Sequence, residues 1–567
     1  MTKIDGHFRI NLFLVITGVF FGLIFYRLSV LSYVKHSIYA RTAEAQIEHI
    51  GNILTRGNIY LSDRGGTTIL AATNKKFAVL GIVPAKIPSQ DINEIITNLQ
   101  QITNIDGAVI AKAIQSGSSN YKTIARQLTP EQVTRINDLN YKGVTISYEM
   151  DRYYPNASLA ADVLGFLGYS GNNRAGQYGI EASYDMSLFG KKDASSVQAS
   201  TARSLWVFGK SSEVIRPNDV ILTIDTTIQK HVEEQLDLLI KKWGAVAGAA
   251  IIQEPKTGKI LAMVDRPSFD PNTYSTSTPN VFLNSNIQEI FEPGSSFKPI
   301  TIAAGLDLGK ISPTTTYEDK GSIVIDGYKI KNFSENVFGF STMSQVLEKS
   351  INTGAMFVEN LIGDTNFTNY VINMGFGQRT GIDLPGEVNG DVANLYSGRK
   401  INYLTASFGQ GVAVTPLQLI NAYSTIANGG KLMRPYVVER VVSEGGKEEI
   451  TQPEIVGIPI SDKTSAKLTS MLVNVVQKGF DKAKINGYDI AGKTGTAQIP
   501  NDKGGYLENE YIHNFVGFAP ANDPKFTILI KIDKPHGITF AADSISPTFR
   551  EITQFLFQYY SIPPSHP

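Results

Sequence analysis

The chain has 567 residues, too many for one ordinary domain, and two to four domains are expected. Its 52 basic and 52 acidic residues cancel, which argues against a nucleic-acid binder held by phosphate contacts. There is no cysteine, which excludes disulfides, thiolate chemistry and cysteine metal sites, and the seven histidines show no ligand-like spacing, so neither a metal nor a cofactor is expected.

Ile10 to Tyr26 is almost wholly apolar, and Arg27 interrupts it. Seventeen helical residues span roughly 25 Å, slightly short of a ~30 Å hydrocarbon core. Apolar character resumes at Leu28 and runs to Val34, so one transmembrane helix over 10–34 is predicted. Arg27 can snorkel to the membrane edge or contact a polar membrane partner, and both readings stay open. No small-residue cleavage site directly follows the apolar core, so the segment reads as an anchor. Lys3 and Arg9 precede it, but Arg27, Lys35 and Arg41 follow, so charge alone decides little. The short leading tail favours a cytoplasmic N-terminus, with everything from about His36 outside the cytoplasm.

Residues 37 to about 215 mix short β-rich runs with polar helical ones. Val220–Asp225 reads as a strand, Ile228–Leu239 as an amphipathic helix, and Ala247–Gln253 with Lys259–Val264 as strands joined by the turn Glu254–Gly258. This is the pattern of an α+β sheet covered by helices. A proline-punctuated loop with Pro267, Pro271 and Pro279 then leads to Glu292-Pro293-Gly294-Ser295-Ser296-Phe297-Lys298-Pro299, a turn that opens a helix continuing through Thr301–Leu308. Ser295 and Lys298 stand three apart on one face of the first turn. A serine becomes a nucleophile when a base takes its proton, and a lysine with a lowered pKa can be that base. Alone the pair is weak, since Ser-x-x-Lys recurs in helices as a cap with a solvated lysine.

Company strengthens it. Met343–Asn360 is apolar-periodic and flanks the corner Ser350-Ile351-Asn352. Thr415-Pro416 starts a helix, Val441–Pro459 reads as a surface hairpin, and Thr496–Ile499 and Phe526–Ile532 read as neighbouring strands. Lys493-Thr494-Gly495-Thr496 runs directly into the first of those strands. Gly487 to Thr494 also matches the nucleotide-binding P-loop letter for letter. A P-loop must run straight into a helix, however, and Gly495 and Pro500 oppose one. No Gly-x-Ser-x-Gly elbow supports an α/β-hydrolase triad.

The three-part set Ser295/Lys298, Ser350/Asn352 and Lys493–Thr496 resembles the class B penicillin-binding proteins, monofunctional transpeptidases that cross-link peptidoglycan. The resemblance implies an α+β, serine β-lactamase-like transpeptidase domain with an antiparallel sheet covered by helices, preceded by a β-rich pedestal. Its domains would be a cytoplasmic tail (1–9), the membrane helix (10–34), a dimerisation-like pedestal (35–215), the transpeptidase domain (216–560) and a short tail (561–567). Arg56-Gly57 with Asp63-Arg64-Gly65 resembles a pedestal segment of the family, departing from it by two extra residues in Tyr60-Leu61-Ser62. Arg152–Pro155 with Gly165–Gly168, and Gly176–Glu181 with Tyr184-Asp185, resemble two others; their charged residues are expected to bridge subdomains and do no chemistry. By the same resemblance Ser295 is the nucleophile, Lys298 its base and Ser350 a proton relay. Asn352 would hold the substrate backbone and the lysine, and Lys493 would lend positive charge near Ser350. Thr494, Gly495 and Thr496 would bind substrate, the two threonine hydroxyls taking its carboxylate, and the N–H groups of Ser295 and Thr496 would form the oxyanion hole.

The implied partners are peptidoglycan stem peptides, β-lactams, a polytopic glycosyltransferase of the shape, elongation, division and sporulation type, and other division proteins. Asn332 and the pedestal segments fit division-type relatives at least as well as elongation-type ones, which favours the septal role. A β-lactam-hydrolysing or β-lactam-sensing homologue would share the motifs but lack so long a pedestal. A catalytically silent cell-wall scaffold would not need Ser295, Lys298 and Lys493 intact.

Overall fold

The computed structural model describes residues 6–29, 56–171, 173–189, 217–479, 481–501 and 504–566. Gly6–Ser29 is a 24-residue helix, about 36 Å long at the usual rise. Its described side chains are open to their surroundings, Phe13, Phe20 and Phe25 among them. The last five residues of the anticipated span, 30–34, lie outside the described residues. Counting described residues alone, no helix is long and apolar enough to cross a membrane.

The chain divides into two compact units, Met1–Thr55 with Asn74–Asp151, and Arg56–Thr73 with Arg152–Pro567. In the first, Ala78 and Leu80 of one strand pair antiparallel with Leu128 and Ala125 of the next. Helices Ile92–Thr103, Gly107–Gln115 and Pro130–Leu139 pack Ile95, Leu99, Ile110 and Ile136 against Leu80 and Ile82. The last of them starts on a capping box, Thr129 and Gln132 each bonding the other's backbone, with Pro130 in the first turn. This region is therefore mixed α/β rather than β-rich, because its apolar residues recur at helical as well as strand spacing.

The second unit is built on a five-stranded antiparallel sheet, in the spatial order Ala491–Pro500, Tyr506–Ala519, Phe526–Asp533, Ala247–Gln253 and Ile260–Arg266. Thr496–Ile499 and Phe526–Ile532 are thus not neighbours; Tyr506–Ala519 lies between them. The outer half of that strand is exposed and carries Glu508, Asn509 and Glu510, so it lacks the apolar alternation that marks a strand.

Side chains alternate between the two faces of the sheet. Ala250, Ile252, Ile528, Ile530 and Phe515 meet Ile228, Val232, Leu236, Phe549, Ile552 and Leu556 of helices Thr226–Trp243 and Ser546–Tyr559. Ile251, Met263, Leu529 and Val516 face the other way, into a larger core with helices Lys298–Asp307, Asn352–Ile362, Pro416–Ala427 and Asp462–Asn474. Covered on both faces, Phe526–Asp533 is a nearly continuous apolar run. Pro416–Ala427 is buried along its whole length and starts on Thr415 with Pro416 in its first turn, as read from the sequence. Residues 491–500 continue as a strand through Lys493, so no helix follows the P-loop match and the nucleotide-binding alternative falls.

Asp225 caps the helix Thr226–Trp243 by accepting from the Thr227 and Ile228 N–H groups, and it also accepts from the Tyr559 hydroxyl. Asp225→Ala is expected to cost about 1–2 kcal/mol of stability, read from the denaturant midpoint, with no change in the chemistry at Ser295.

Candidate active site

Gly294 begins a single 3₁₀ turn, Gly294–Phe297, that leads into the helix Lys298–Asp307. Its φ of 57° is open to glycine at little cost, and a side chain there would come within 3.0 Å of the Thr496 carbonyl. The turn is fastened on several sides. Gly294 N–H donates to Gly409 O (3.1 Å), the Asn514 amide to Pro293 O (3.1 Å), and the Tyr423 hydroxyl to Ser296 O (2.7 Å). The buried Glu292 carboxylate accepts from Gly411 N–H and the Tyr506 hydroxyl. The turn thus holds Ser295 part-exposed while Lys298, at the start of the helix, is fully buried.

Ser350 sits between the helices Met343–Glu348 and Asn352–Ile362. Its φ is 56°, a left-handed conformation costing about 1–3 kcal/mol for a residue with a Cβ. That kink breaks what the sequence presents as one apolar-periodic stretch, and it turns both the carbonyl and the hydroxyl of Ser350 towards Lys298. Lys298 Nζ lies 3.0 Å from Ser295 Oγ, 3.1 Å from Ser350 Oγ and 2.5 Å from Ser350 O. From the sheet edge, Lys493 Nζ reaches the same Ser350 Oγ at 3.1 Å and its neighbour's carbonyl, Thr494 O, at 3.2 Å. Four of the predicted residues, from three distant segments, therefore form one chain of contacts.

Burial drives the Lys298 ammonium well below the ordinary lysine range, and the charge of Lys493 adds to the effect. Burial alone brings Lys493 down to about 7. A neutral Lys298 is thus able to accept a proton from Ser295, while Lys493 carries charge at and below neutrality.

The remaining predicted residues surround this chain of contacts. Ser295, Ser350, Asn352, Thr494 and Thr496 line one cleft of about 880 Å³, with Phe333, Tyr511 and Phe540 on its walls. Thr496 Oγ1 accepts from Ala541 N–H at 3.1 Å. Gly495 is buried beneath the cleft, where a side chain would come within 2.4 Å of both Pro293 O and the Asn514 amide; its lack of one lets the strand approach the turn that carries Ser295. Asn352 lines the same cleft, where its amide donates to Lys331 O (3.0 Å). Asn332 is buried structure. Its amide donates to both Asp319 carboxylate oxygens, and its carbonyl accepts from Thr353 N–H, tying the hairpin 322–331 to the start of the helix that Asn352 begins.

The sequence reading missed Glu292, Asn514, His513 and Tyr506. The signal for two of them was present, since His513 and Asn514 are polar residues opening the apolar run Phe515–Ala519. Arg56 and Arg152 both pair with the buried Glu181, and Arg56 also with Asp185, with no nucleophile among them.

Residues 248–554 match the family model of the penicillin-binding protein transpeptidase domain, more than half of the chain. The chain belongs to the penicillin-binding proteins. Residues 54–214 match the penicillin-binding protein dimerisation domain. Stage V sporulation protein D of Bacillus subtilis is 34% identical over 504 residues, covering 87% of this chain and 76% of that one. The probable peptidoglycan D,D-transpeptidase PbpC of Pseudomonas aeruginosa is 30% identical, covering 90% and 88%. Among solved structures, penicillin-binding protein 3 of Mycobacterium tuberculosis complexed with aztreonam superposes with a TM-score of 0.66 at 30% identity, covering 74% of this chain and 92% of that one.

Gly495→Ala should push the catalytic strand away from the Pro293 carbonyl and shift Ser295 against its partners. Acylation by a fluorescent penicillin is expected to slow by at least about tenfold, since misplacements near 1 Å can cost a hundredfold.

Proposed function

We propose that Ser295 carries out a two-step acyl transfer with Lys298 as its base. The enzyme is a serine-type peptidoglycan D,D-transpeptidase, and β-lactams inhibit it. The observation that carries the residue assignment is the bridging position of Lys298 Nζ, within hydrogen-bond reach of both Ser295 Oγ and Ser350 Oγ.

Ser295 Oγ attacks the carbonyl between the two terminal D-alanines of a stem peptide, and its proton passes to Lys298 Nζ. The N–H groups of Ser295 and Thr496 stabilise the oxyanion, a contribution of about 10²–10³-fold for one donor. The tetrahedral intermediate collapses with cleavage of the C–N bond. The leaving D-alanine amine takes its proton through the Ser350 hydroxyl, which Lys298 resupplies. An amine of a second stem peptide then attacks the acyl-enzyme ester, and proton flow reverses to restore Ser295. Lys493 supplies positive charge beside Ser350, Thr494 and Thr496 donate to the terminal carboxylate, and Asn352 and the Gly495 backbone face the bound peptide. No cofactor enters any step. The dimerisation region ahead of the catalytic domain supports a synthetic enzyme over a β-lactamase or receptor.

The apolar run Ile10–Tyr26 within the helix Gly6–Ser29 supports a single membrane anchor with a cytoplasmic N-terminus and an extracytoplasmic catalytic domain. Polymerisation of glycan then falls to a polytopic glycosyltransferase partner, met through the anchor and the pedestal among other division proteins, with Arg27 offering a polar contact within the membrane. Septal synthesis is the favoured setting. Exchanging residues 10–34 for an unrelated membrane helix is expected to keep penicillin binding and weaken co-purification of the glycosyltransferase. Depletion should give filaments, and rounded cells that still divide would move the enzyme to elongation.

Ser295→Ala should abolish labelling by a fluorescent penicillin at near-native thermal stability; labelling that persists would remove Ser295 from the mechanism. The acylation rate should follow a bell in pH. It rises as Lys298 loses its proton on the acid side, and it falls above about 7 as Lys493 loses its charge. Lys493→Ala should remove the alkaline limb.

A further inference from the structure

His513 lies directly across the sheet from Thr496, on the strand Tyr506–Ala519. Its ring is fully buried beneath the segment Thr539–Ser544, which it holds at both ends. Nε2 is 3.1 Å from Thr539 O and Nδ1 is 2.7 Å from Ser544 Oγ. A carbonyl only accepts, so Nε2 carries the proton, and the bare Nδ1 accepts from the Ser544 hydroxyl. Burial brings the imidazole down to about 4, so this neutral tautomer persists through the working range of pH. Between the two clamped ends, the Ala541 N–H donates to Thr496 Oγ1 at 3.1 Å.

The hydroxyl of Thr496 can donate as well as accept, and among the described residues it only accepts. With a lone pair taken by an N–H donor, its own proton is turned away from that donor and is free to point into the cleft that Thr496 lines. A hydroxyl so oriented is a ready donor to an anion. We propose that His513 is a positioning residue for the transfer reaction, clamping the Thr539–Ser544 segment so that the Ala541 amide orients the Thr496 hydroxyl as a donor to the substrate carboxylate. It touches no substrate atom itself. The inference rests on the reading of Thr496 as a carboxylate donor.

The full-length protein tests it, with the second-order rate of acylation by a fluorescent penicillin as readout. Thr496→Val, the reference, should slow acylation by about tenfold, as loss of one hydrogen bond to a charged group does. His513→Ala should slow it by a similar factor, and the double variant should be no slower than Thr496→Val alone. His513→Gln, which can replace the Nε2–H donor, should recover part of the rate. Should His513→Ala fail to fold, Ala541→Pro serves instead. It replaces the one N–H in question with a ring carbon at the first position of a short helix, after Phe540 at φ −110°, ψ 130°, a backbone that accepts a following proline. It too should act only when Thr496 is present. Normal acylation in Ala541→Pro, or multiplicative losses in the double variant, would overturn the positioning role. A Thr496→Val enzyme with normal acylation would instead overturn the carboxylate reading beneath it.

Discussion

Two lysine ammonium groups, both fully buried, meet at one hydroxyl, and this is the constraint around which the catalytic unit is arranged. Removing an ion from water costs several kcal/mol even after relaxation, and a second like charge nearby raises the cost. The arrangement is tolerable because neutralising Lys298 relieves both penalties together. Under the proposed mechanism, the proton that leaves makes Lys298 a base, and the one that stays makes Lys493 a local cation. The electrostatic problem of the fold and the chemical requirement of the reaction therefore have the same solution.

Meeting that constraint takes three pieces of chain separated by more than fifty residues each. The helix Lys298–Asp307 runs into the core and brings its lysine in from one side. The Ser350 corner supplies oxygen from another, and the edge strand Ala491–Pro500 supplies the second lysine. What keeps the pieces in register is hydrogen bonding one layer further out: Asn514 on the Ser295 turn, Glu292 between Gly411 and Tyr506, Asp319 and Asn332 beneath the second motif. Burial would raise the Asp319 carboxyl. Hydrogen bonds from Thr353, Phe338, Gly321 and Asn332 outweigh it and hold that carboxyl below its usual range, so the anchor stays ionised.

Much of this was legible because the three motifs are short and the chemistry of each depends on residue type and spacing alone. The strands at 219–225, 247–253 and 260–266 and the helix at 416 were also visible, from apolar runs and a proline in the first turn. The strand Tyr506–Ala519 was not, since its outer half is polar and exposed, and its absence put the wrong strands side by side. Lys493 illustrates a different limit. Read along the chain it is a polar residue in a polar segment; in three dimensions it is wholly buried, because what covers it comes from elsewhere in the chain. His513 and Asn514 were conspicuous as polar interruptions of a buried run, but what they fasten is distant in sequence and so could not be read locally.

The left-handed backbone of Ser350 sets folding against function at a single residue. Glycine would adopt that conformation without strain, and asparagine with little, so purely as a folding problem the position is better filled by either. Serine is the poorer choice for the corner and, under the proposed mechanism, the required one for the proton path. Under that mechanism, random change at residue 350 runs towards sturdier, inactive proteins.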